Sequence, residues 1–232
     1  MIVVIGSPIG RIVDGIVTAG GMASRVALAV AAAGSTVQLV GKTGDDPTAD
    51  GVVLDLARGG VGHVALLRDP ARATPLESSA ADEQPLDGTD GPGDDAAERV
   101  GTGPPVASQA SGPALEAADV DLGLRYLTDF AVVVLAEPVA AEIVTIVSDA
   151  ARWGEARLVL VVGTGQTVHD GLPTDVVVFE APEADPDGVF ATMVGTFAAA
   201  LDRGMDPGEA FRASIASDGW TGTGPAERLS SG

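Results

Sequence analysis

The sequence has no cysteine, only two histidines, and an aromatic content of 3% over its 232 residues. Without cysteine there are no disulfides, thiolate nucleophiles or cysteine-ligated zinc. The histidines His63 and His169 are too few for a histidine-rich metal site, so we expect no metal centre. Any chemistry must come from carboxylates, hydroxyls, backbone amides or arginines.

The chain also lacks a long apolar run and has few basic residues. No run is long enough to cross a bilayer, and the first residues, MIVVIGSPIG, lack the basic stretch of a signal peptide, so we expect a cytoplasmic protein. The formal net charge is −20, from 13 basic and 33 acidic residues. That charge repels phosphate backbones and anionic lipids, which argues against nucleic-acid and membrane partners. A small-molecule ligand or a homodimer is compatible with it.

Short apolar runs alternate with segments of helical periodicity, and 46% of the residues are hydrophobic. This alternation predicts one α/β domain over residues 1–232 with a mainly parallel sheet. The predicted strands are 2–5, 36–40, 64–67, 131–135, 158–162 and 174–179. Near the C-terminus, apolar residues at helical spacing predict a core helix that buries one face. They are Phe190, Met193, Val194, Phe197 and Leu201.

The alternation stops between residues 69 and 118. This segment has no Phe, Tyr or Trp, and its portion from Glu77 to Arg99 holds eight acids and one arginine. Such a composition buries too little apolar surface to offset the entropy of ordering, so we expect a mostly flexible acidic loop. The alternative is an element that binds a basic partner. The polar residues 221–232 are expected to form a frayed tail.

Several stretches in order resemble the PfkB, or ribokinase-like, carbohydrate kinases. They are the strand ending in Gly6-Ser7, the pair Gly20-Gly21 opening a helix, AAAGSTVQLVGKTGDD (31–46), GVVLDLARGGV (51–61) and DGVFATMVGTFAAALDRG (187–204). The resemblance covers about two-thirds of the chain. It implies a three-layer α/β/α, Rossmann-like fold.

The resemblance also implies ATP-dependent phosphorylation of a sugar or nucleoside, with Mg²⁺. Members of the family hold sugar hydroxyls with an early Asp and an Asn, cover the substrate with lid strands, and bind nucleotide with a loop. Their fourth shared part is a helix that begins with the sequence Gly-Ala-Gly-Asp. There, backbone amides stabilise the transferring phosphate and the Asp takes the hydroxyl proton.

The sugar-binding positions depart from the family pattern. Arg11 stands where the resemblance implies the early Asp, and Arg25, after Gly20 and Gly21, stands where it implies the Asn. Guanidinium groups only donate hydrogen bonds, so they suit a carboxylate or phosphate better than a neutral sugar. The alternative is that both are ordinary surface arginines.

Other family parts are absent or weak. Only the eight residues 12–19 separate Arg11 from Gly20, too few for a covering hairpin, so we expect the lid strands to be missing. The segment 136–184 has 49 residues, which is fewer than the family has between the corresponding strand and the catalytic helix. At about 30 residues for each strand–helix unit, one or two units are missing. Gly163-Thr164-Gly165 after a strand could replace the nucleotide loop by cradling phosphate, or form an ordinary tight turn.

The catalytic helix start is altered as well. Alignment on Phe190 puts Asp185-Pro186-Asp187-Gly188 over the family's Gly-Ala-Gly-Asp, so Gly188 occupies the position of the base and Asp187 lies one residue early. One residue turns a helix by about 100°, so Asp187 would point away from the position of the family's base unless the helix start is shifted. The alternative reading needs no catalysis, with Asp185 as N-cap and Pro186 in the first turn.

These observations support three hypotheses. The first is a PfkB-family homologue with lost or impaired sugar phosphorylation that serves as a small-molecule binding or interaction protein. The second is an active sugar or nucleoside kinase in which Asp187 is a displaced base and Mg²⁺-ATP is the donor. The third is a structural, oligomerising protein without a ligand.

Overall fold

The computed structural model describes residues 1–77, 112–166 and 172–218. The centre of the predicted acidic loop, His169 and the predicted tail lie outside them. Eight strands form in the described part: β1 (Ile2–Ile5), β2 (Ile9–Val13), β3 (Ile16–Gly20), β4 (Val37–Gly44), β5 (Gly62–Asp69), β6 (Val132–Leu135), β7 (Arg157–Val162) and β8 (Val177–Glu180). Six helices accompany them there: α1 (Gly21–Ala32), α2 (Pro47–Arg58), α3 (Ala117–Tyr126), α4 (Ala141–Trp153), α5 (Val189–Asp202) and α6 (Pro207–Asp218).

Six of the strands form one parallel sheet in the order β5-β4-β1-β6-β7-β8. The central strand β1 is fully buried because its side chains alternate between two apolar layers. Ile2 and Val4 join one layer, and Val3 and Ile5 join the other. Continuous apolar runs are typical of such doubly covered strands, and the prediction of a mainly parallel sheet is confirmed.

Helices cover both faces of this sheet. Helices α1, α2, α5 and α6 pack on one face, and α3 and α4 pack on the other. This arrangement confirms the predicted three-layer α/β/α architecture. Within the described ranges, no helix is long and apolar enough to span a membrane.

Helix α5 is almost wholly buried, and the apolar face predicted from its spacing is confirmed. Phe190, Met193 and Phe197 are among the largest fully buried side chains. Phe179 of β8 meets both phenylalanine rings edge-on, with centroids 6.5 Å from Phe190 and 5.1 Å from Phe197. Gly195 lets α5 approach α1 closely, since a Cβ there would lie 2.6 Å from the Cβ of Ala29.

Between Arg11 and Gly20 the structure corrects the sequence analysis. Strands β2 and β3 pair as an antiparallel hairpin, with Val13 opposite Ile16 and a two-residue turn at Asp14-Gly15. These residues were expected to be too few for a covering hairpin, yet they form a two-stranded one, so the expectation is wrong about the hairpin; the absence of a lid that covers a substrate stays a prediction. Both turn residues have positive φ, 51° and 77°, as a tight Asp-Gly hairpin turn requires. The hairpin leaves Ile12 and Ile16 about 60% exposed.

Ordered elements extend into both ends of the predicted acidic loop. Strand β5 continues to Asp69, Thr74 is buried, and α3 already begins at Ala117. Leu76 forms an isolated parallel bridge with Gly10, so residues 75–77 add a short third segment beside β2. The flexibility predicted for the centre of the loop stays a prediction.

Candidate ligand-binding site

The candidate site lies at the carboxyl edge of the sheet. Gly6-Ser7 follows β1 and Ala136-Glu137 follows β6, while the N-terminal end of α1 lies at the same edge. In open α/β sheets, ligands bind in the crevice outside the carboxyl ends of the strands. The residues gathered here are therefore the first candidates for function.

Glu137 is a carboxylate at this edge that the sequence analysis missed. The backbone amide of Ser7 donates to its Oε1 at 2.6 Å. Burial raises the pKa of the Glu137 carboxyl group, and the hydrogen bonds from Ser7 oppose that rise only in part. The signal in the sequence is an acid placed directly after the apolar strand VVVLA.

Replacement of Glu137 by glutamine is expected to flatten the pH dependence of stability. The folded-state pKa lies above the ordinary value of 4.5. The stability contribution of this carboxyl group is therefore present below about pH 4.5 and is lost as the pH rises through the folded-state pKa. Glutamine can still accept from Ser7 but does not titrate. Urea unfolding at several pH values should show the variant gaining stability over the wild type as pH rises, and identical curves would contradict this.

Four predicted residues converge on Glu77. The first amide of α1, from Gly21, donates to Glu77 Oε1 at 2.7 Å, and Arg25 Nη2 donates to both carboxylate oxygens at 3.0 Å. Arg11 Nε lies 3.6 Å from Oε2. Gly20 leaves room for this approach, because a Cβ there would lie 2.8 Å from Oε1. We refer to Arg11, Arg25 and the Gly21 amide as the arginine cluster.

The segment that carries Glu77 is held in place at two points. Gly10 accepts from the amide of Glu77 and donates to the carbonyl of Pro75, each at 2.7 Å. Thr74 donates its amide to Asp46 Oδ2 at 2.6 Å and accepts from the amide of Gly44 at 2.9 Å. The sequence analysis missed Glu77 because it lies in the predicted loop.

Asp46 joins this segment to helix α2. Its Oδ1 accepts from the amide of Ala49 and caps the helix, while its Oδ2 holds Thr74. Partial burial acts to raise the pKa of Asp46, but the hydrogen bonds from Thr74 and Ala49 outweigh it and leave the pKa below its ordinary value. The ionised carboxylate is thus the form that the fold selects.

At the start of α5 the structure modifies the predicted capping. The helix begins at Val189 after Gly188 in the left-handed conformation, with φ 71°, so Pro186 precedes the helix instead of lying in its first turn. Asp185 nevertheless caps the helix, accepting from the amides of Phe190 at 3.1 Å and Ala191 at 3.0 Å. Asp187 is exposed.

Arg25 connects the starts of α1 and α5. Its Nη1 donates to the carbonyl oxygen of Asp185, while its Nη2 holds Glu77. Gly188 lies against the same side chain, since a Cβ there would be 3.5 Å from Arg25 Cδ. The structure therefore brings Arg11, Arg25, Gly20, Gly21 and Gly188 to one place.

The loop Gly163-Thr164-Gly165 lies apart from this cluster. It follows β7, two strands from β1 and so about 10 Å along the edge. Gly163 donates its amide to Gln166 Oε1 at 3.1 Å, Gly165 donates to Glu180 Oε1 at 2.9 Å, and Thr164 donates to the carbonyl of Ala181. These contacts are those of a closed turn.

Comparisons with known proteins give the fold its name. No known family profile matches the sequence, and no curated protein is significantly similar to it. Among solved structures, ribokinase from Arabidopsis thaliana complexed with ribose and ATP is 14% identical, with 96% of this chain and 93% of that chain covered and a TM-score of 0.59. The fold is ribokinase-like.

Two further structures agree with this. A PfkB protein from Polaromonas sp. JS666 is 13% identical, with 92% of each chain covered and a TM-score of 0.58. The tetrameric inhibited form of phosphofructokinase-2 from Escherichia coli is 14% identical, with 94% of this chain and 92% of that chain covered and a TM-score of 0.57. The resemblance seen in the sequence is thus confirmed at the level of the fold.

Two places at which backbone amides could bind phosphate are the start of α5 and the loop after β7. The two first-turn amides of α5 already hold the Asp185 carboxylate. Two amides of the loop after β7 hold the side chains of Gln166 and Glu180. Over the described ranges, no group of three or more Asp, Glu or His residues could hold a metal. At both places the described backbone amides thus hold side chains of this chain.

Proposed function

We propose that this ribokinase-like protein binds a small anionic molecule at the arginine cluster and does not transfer phosphate from ATP. The observation that carries the proposal is the Asp185 carboxylate on the amides of Phe190 and Ala191. Phosphoryl transfer depends on positioning and charge stabilisation, and free amides at a helix start provide both. Asp185 caps the helix from the turn directly before it, so its carboxylate stays on those donors and repels an incoming phosphate.

The choice of an anion as ligand follows from the donors at the cluster. Arg25 has only 19% of its side chain exposed and Arg11 has 48%, so the first is mostly buried and the second is accessible to a ligand. Guanidinium and amide groups only donate, and they cannot accept the hydroxyl protons of a neutral sugar. A carboxylate or phosphate satisfies all of them, as the Glu77 carboxylate does within the chain, so an external anion binds here in exchange for Glu77.

A thermal-shift and calorimetric screen tests this function. The ligands are Mg²⁺-ATP, neutral sugars, sugar phosphates and dicarboxylates. We expect an anionic metabolite to raise the melting temperature, Arg11→Ala to weaken that effect, and Arg58→Ala to leave it unchanged. Arg58 is the matched control because it is an exposed arginine in the last turn of α2.

Two results would favour the other hypotheses. Tight binding of Mg²⁺-ATP with sugar-dependent release of ADP, lost in Asp187→Ala, would identify an active kinase with a displaced base. If no ligand shifts the melting temperature while size-exclusion chromatography shows a stable assembly, the protein is a structural, oligomerising one.

A further inference from the structure

The carboxylate of Glu77 fills the point on which the donors of the arginine cluster converge. Oε1 accepts from Gly21 at 2.7 Å and from Arg25 at 3.0 Å. Oε2 accepts from Arg25 at 3.0 Å and lies 3.6 Å from Arg11. The chain thus places one of its own carboxylates where the proposed function requires an external anion.

We infer that Glu77 is a built-in competitor, and that the ligand of this site carries a carboxylate which replaces that of Glu77. The inference rests on the proposed function, because it assigns the occupant of the same cluster. The donors are spaced around a planar, two-oxygen group, since one nitrogen of Arg25 reaches both oxygens while Gly21 reaches one. A ligand carboxylate can take over these hydrogen bonds without moving the donors.

The Glu77 side chain can leave without unfolding its surroundings. Its backbone is fixed independently by Gly10, on both its own amide and the carbonyl of Pro75. The side chain keeps 22% of its surface exposed, so rotation about its own bonds carries the carboxylate toward solvent. Release therefore breaks only the hydrogen bonds and ion pairs of the carboxylate.

Charge explains why such a competitor is useful. With Glu77 swung out, the guanidinium groups of Arg11 and Arg25 would lose the carboxylate they share beside the start of α1, which adds a partial positive charge of its own. Like charges so close destabilise the empty site. The internal carboxylate neutralises them until a ligand arrives, and it sets the affinity that a ligand must exceed.

Chemical rescue by acetate tests the inference. Glu77→Ala removes the carboxylate and leaves space for acetate, so its melting temperature should be lower than that of the wild type and should rise saturably with added acetate. The reference is sodium chloride at equal ionic strength. If Glu77 occupies the site for at least about nine-tenths of the time, the wild type should bind acetate at least about tenfold more weakly than Glu77→Ala. Adding Arg25→Ala to Glu77→Ala should abolish the saturable rise.

Two further measurements keep the test decisive. Should Glu77→Ala not fold, Glu77→Gln serves in its place, because it keeps the shape but loses the charge, and it should bind acetate more tightly than the wild type. Equal acetate shifts in wild type and variant, or none in a folded variant, would overturn the inference. If acetate rescues the Glu77 variant but no metabolite binds to the wild type, the role of Glu77 as a competitor is supported and the proposed ligand-binding function is rejected. Metabolite binding to the wild type without acetate rescue of the Glu77 variant would support the ligand-binding function and reject the role of Glu77 as a competitor.

Discussion

Arg25→Ala is expected to lower the free energy of unfolding by about 2–4 kcal/mol, between the values typical of exposed and of buried ion pairs. The change removes two hydrogen bonds to Glu77 and one to the carbonyl of Asp185. It also leaves Glu77, only 22% exposed, without its closest positive charge. Urea unfolding of the variant and the wild type measures the loss.

A double mutant separates the ion pair from the rest of the loss. Arg25→Ala combined with Glu77→Ala should cost less than the sum of the single changes, because no unpaired carboxylate remains. Arg58→Ala is again the control and should change stability little. A loss below about 0.5 kcal/mol for Arg25→Ala, typical of ordinary surface substitutions, would show that Arg25 is a surface arginine like any other.

Gly195→Val should destabilise the protein by about 3 kcal/mol or more, the upper end of the cost of overpacking a core. A Cβ at Gly195 would lie 2.6 Å from the Cβ of Ala29 and 2.8 Å from the carbonyl oxygen of Val26. Both neighbours belong to α1, so the added side chain must push α5 away from it. Valine replaces a flexible residue and would otherwise be expected to favour the helix.

The same substitution should also disturb the site. Arg25 on α1 reaches the carbonyl of Asp185 just before α5, and this contact depends on the spacing between the two helices. Chemical denaturation and ligand titration of Gly195→Val test both effects. Gly208→Ala is the control, because Gly208 is an exposed glycine in the first turn of α6. Equal stability of the two variants would contradict the close packing of α1 and α5.

The framework of the fold could be predicted from local patterns. Runs such as Ile2–Ile5 and Val132–Leu135 are apolar throughout because both faces of the sheet are covered, and this pattern identifies central parallel strands. Helix α5 has apolar residues at helical spacing, so its buried face was also predictable. These elements are determined by residues within one segment.

The hairpin was missed although its signal is present. Asp14-Gly15 between two apolar stretches is the pattern of a two-residue hairpin turn. The residue types of the turn decide the structure here, and the number of residues between Arg11 and Gly20 does not. Gly10 and Gly20 weaken the strand pattern in the sequence. In the structure, Gly10 pairs with the short segment around Leu76, and Gly20 leaves space for Glu77.

The centre of the candidate site depends on contacts that no local pattern reveals. Arg25 and Glu77 are 52 positions apart, and Arg25 and Asp185 are 160 apart. Glu77 is one acid among many in a segment whose composition predicts a loop. The residue type of Asp185 predicts a cap, whereas the left-handed turn at Gly188 that moves the helix start to Val189 is not predicted by the Asp-Pro pattern.

The most direct test of the proposed function is the formation of ADP by the wild-type protein with Mg²⁺-ATP and a panel of sugars and nucleosides. We expect no sugar-dependent ADP above that of Asp187→Ala, because the Asp185 carboxylate holds the amides that a transferring phosphate would need. Saturable, sugar-dependent formation of ADP that disappears in Asp187→Ala would contradict it.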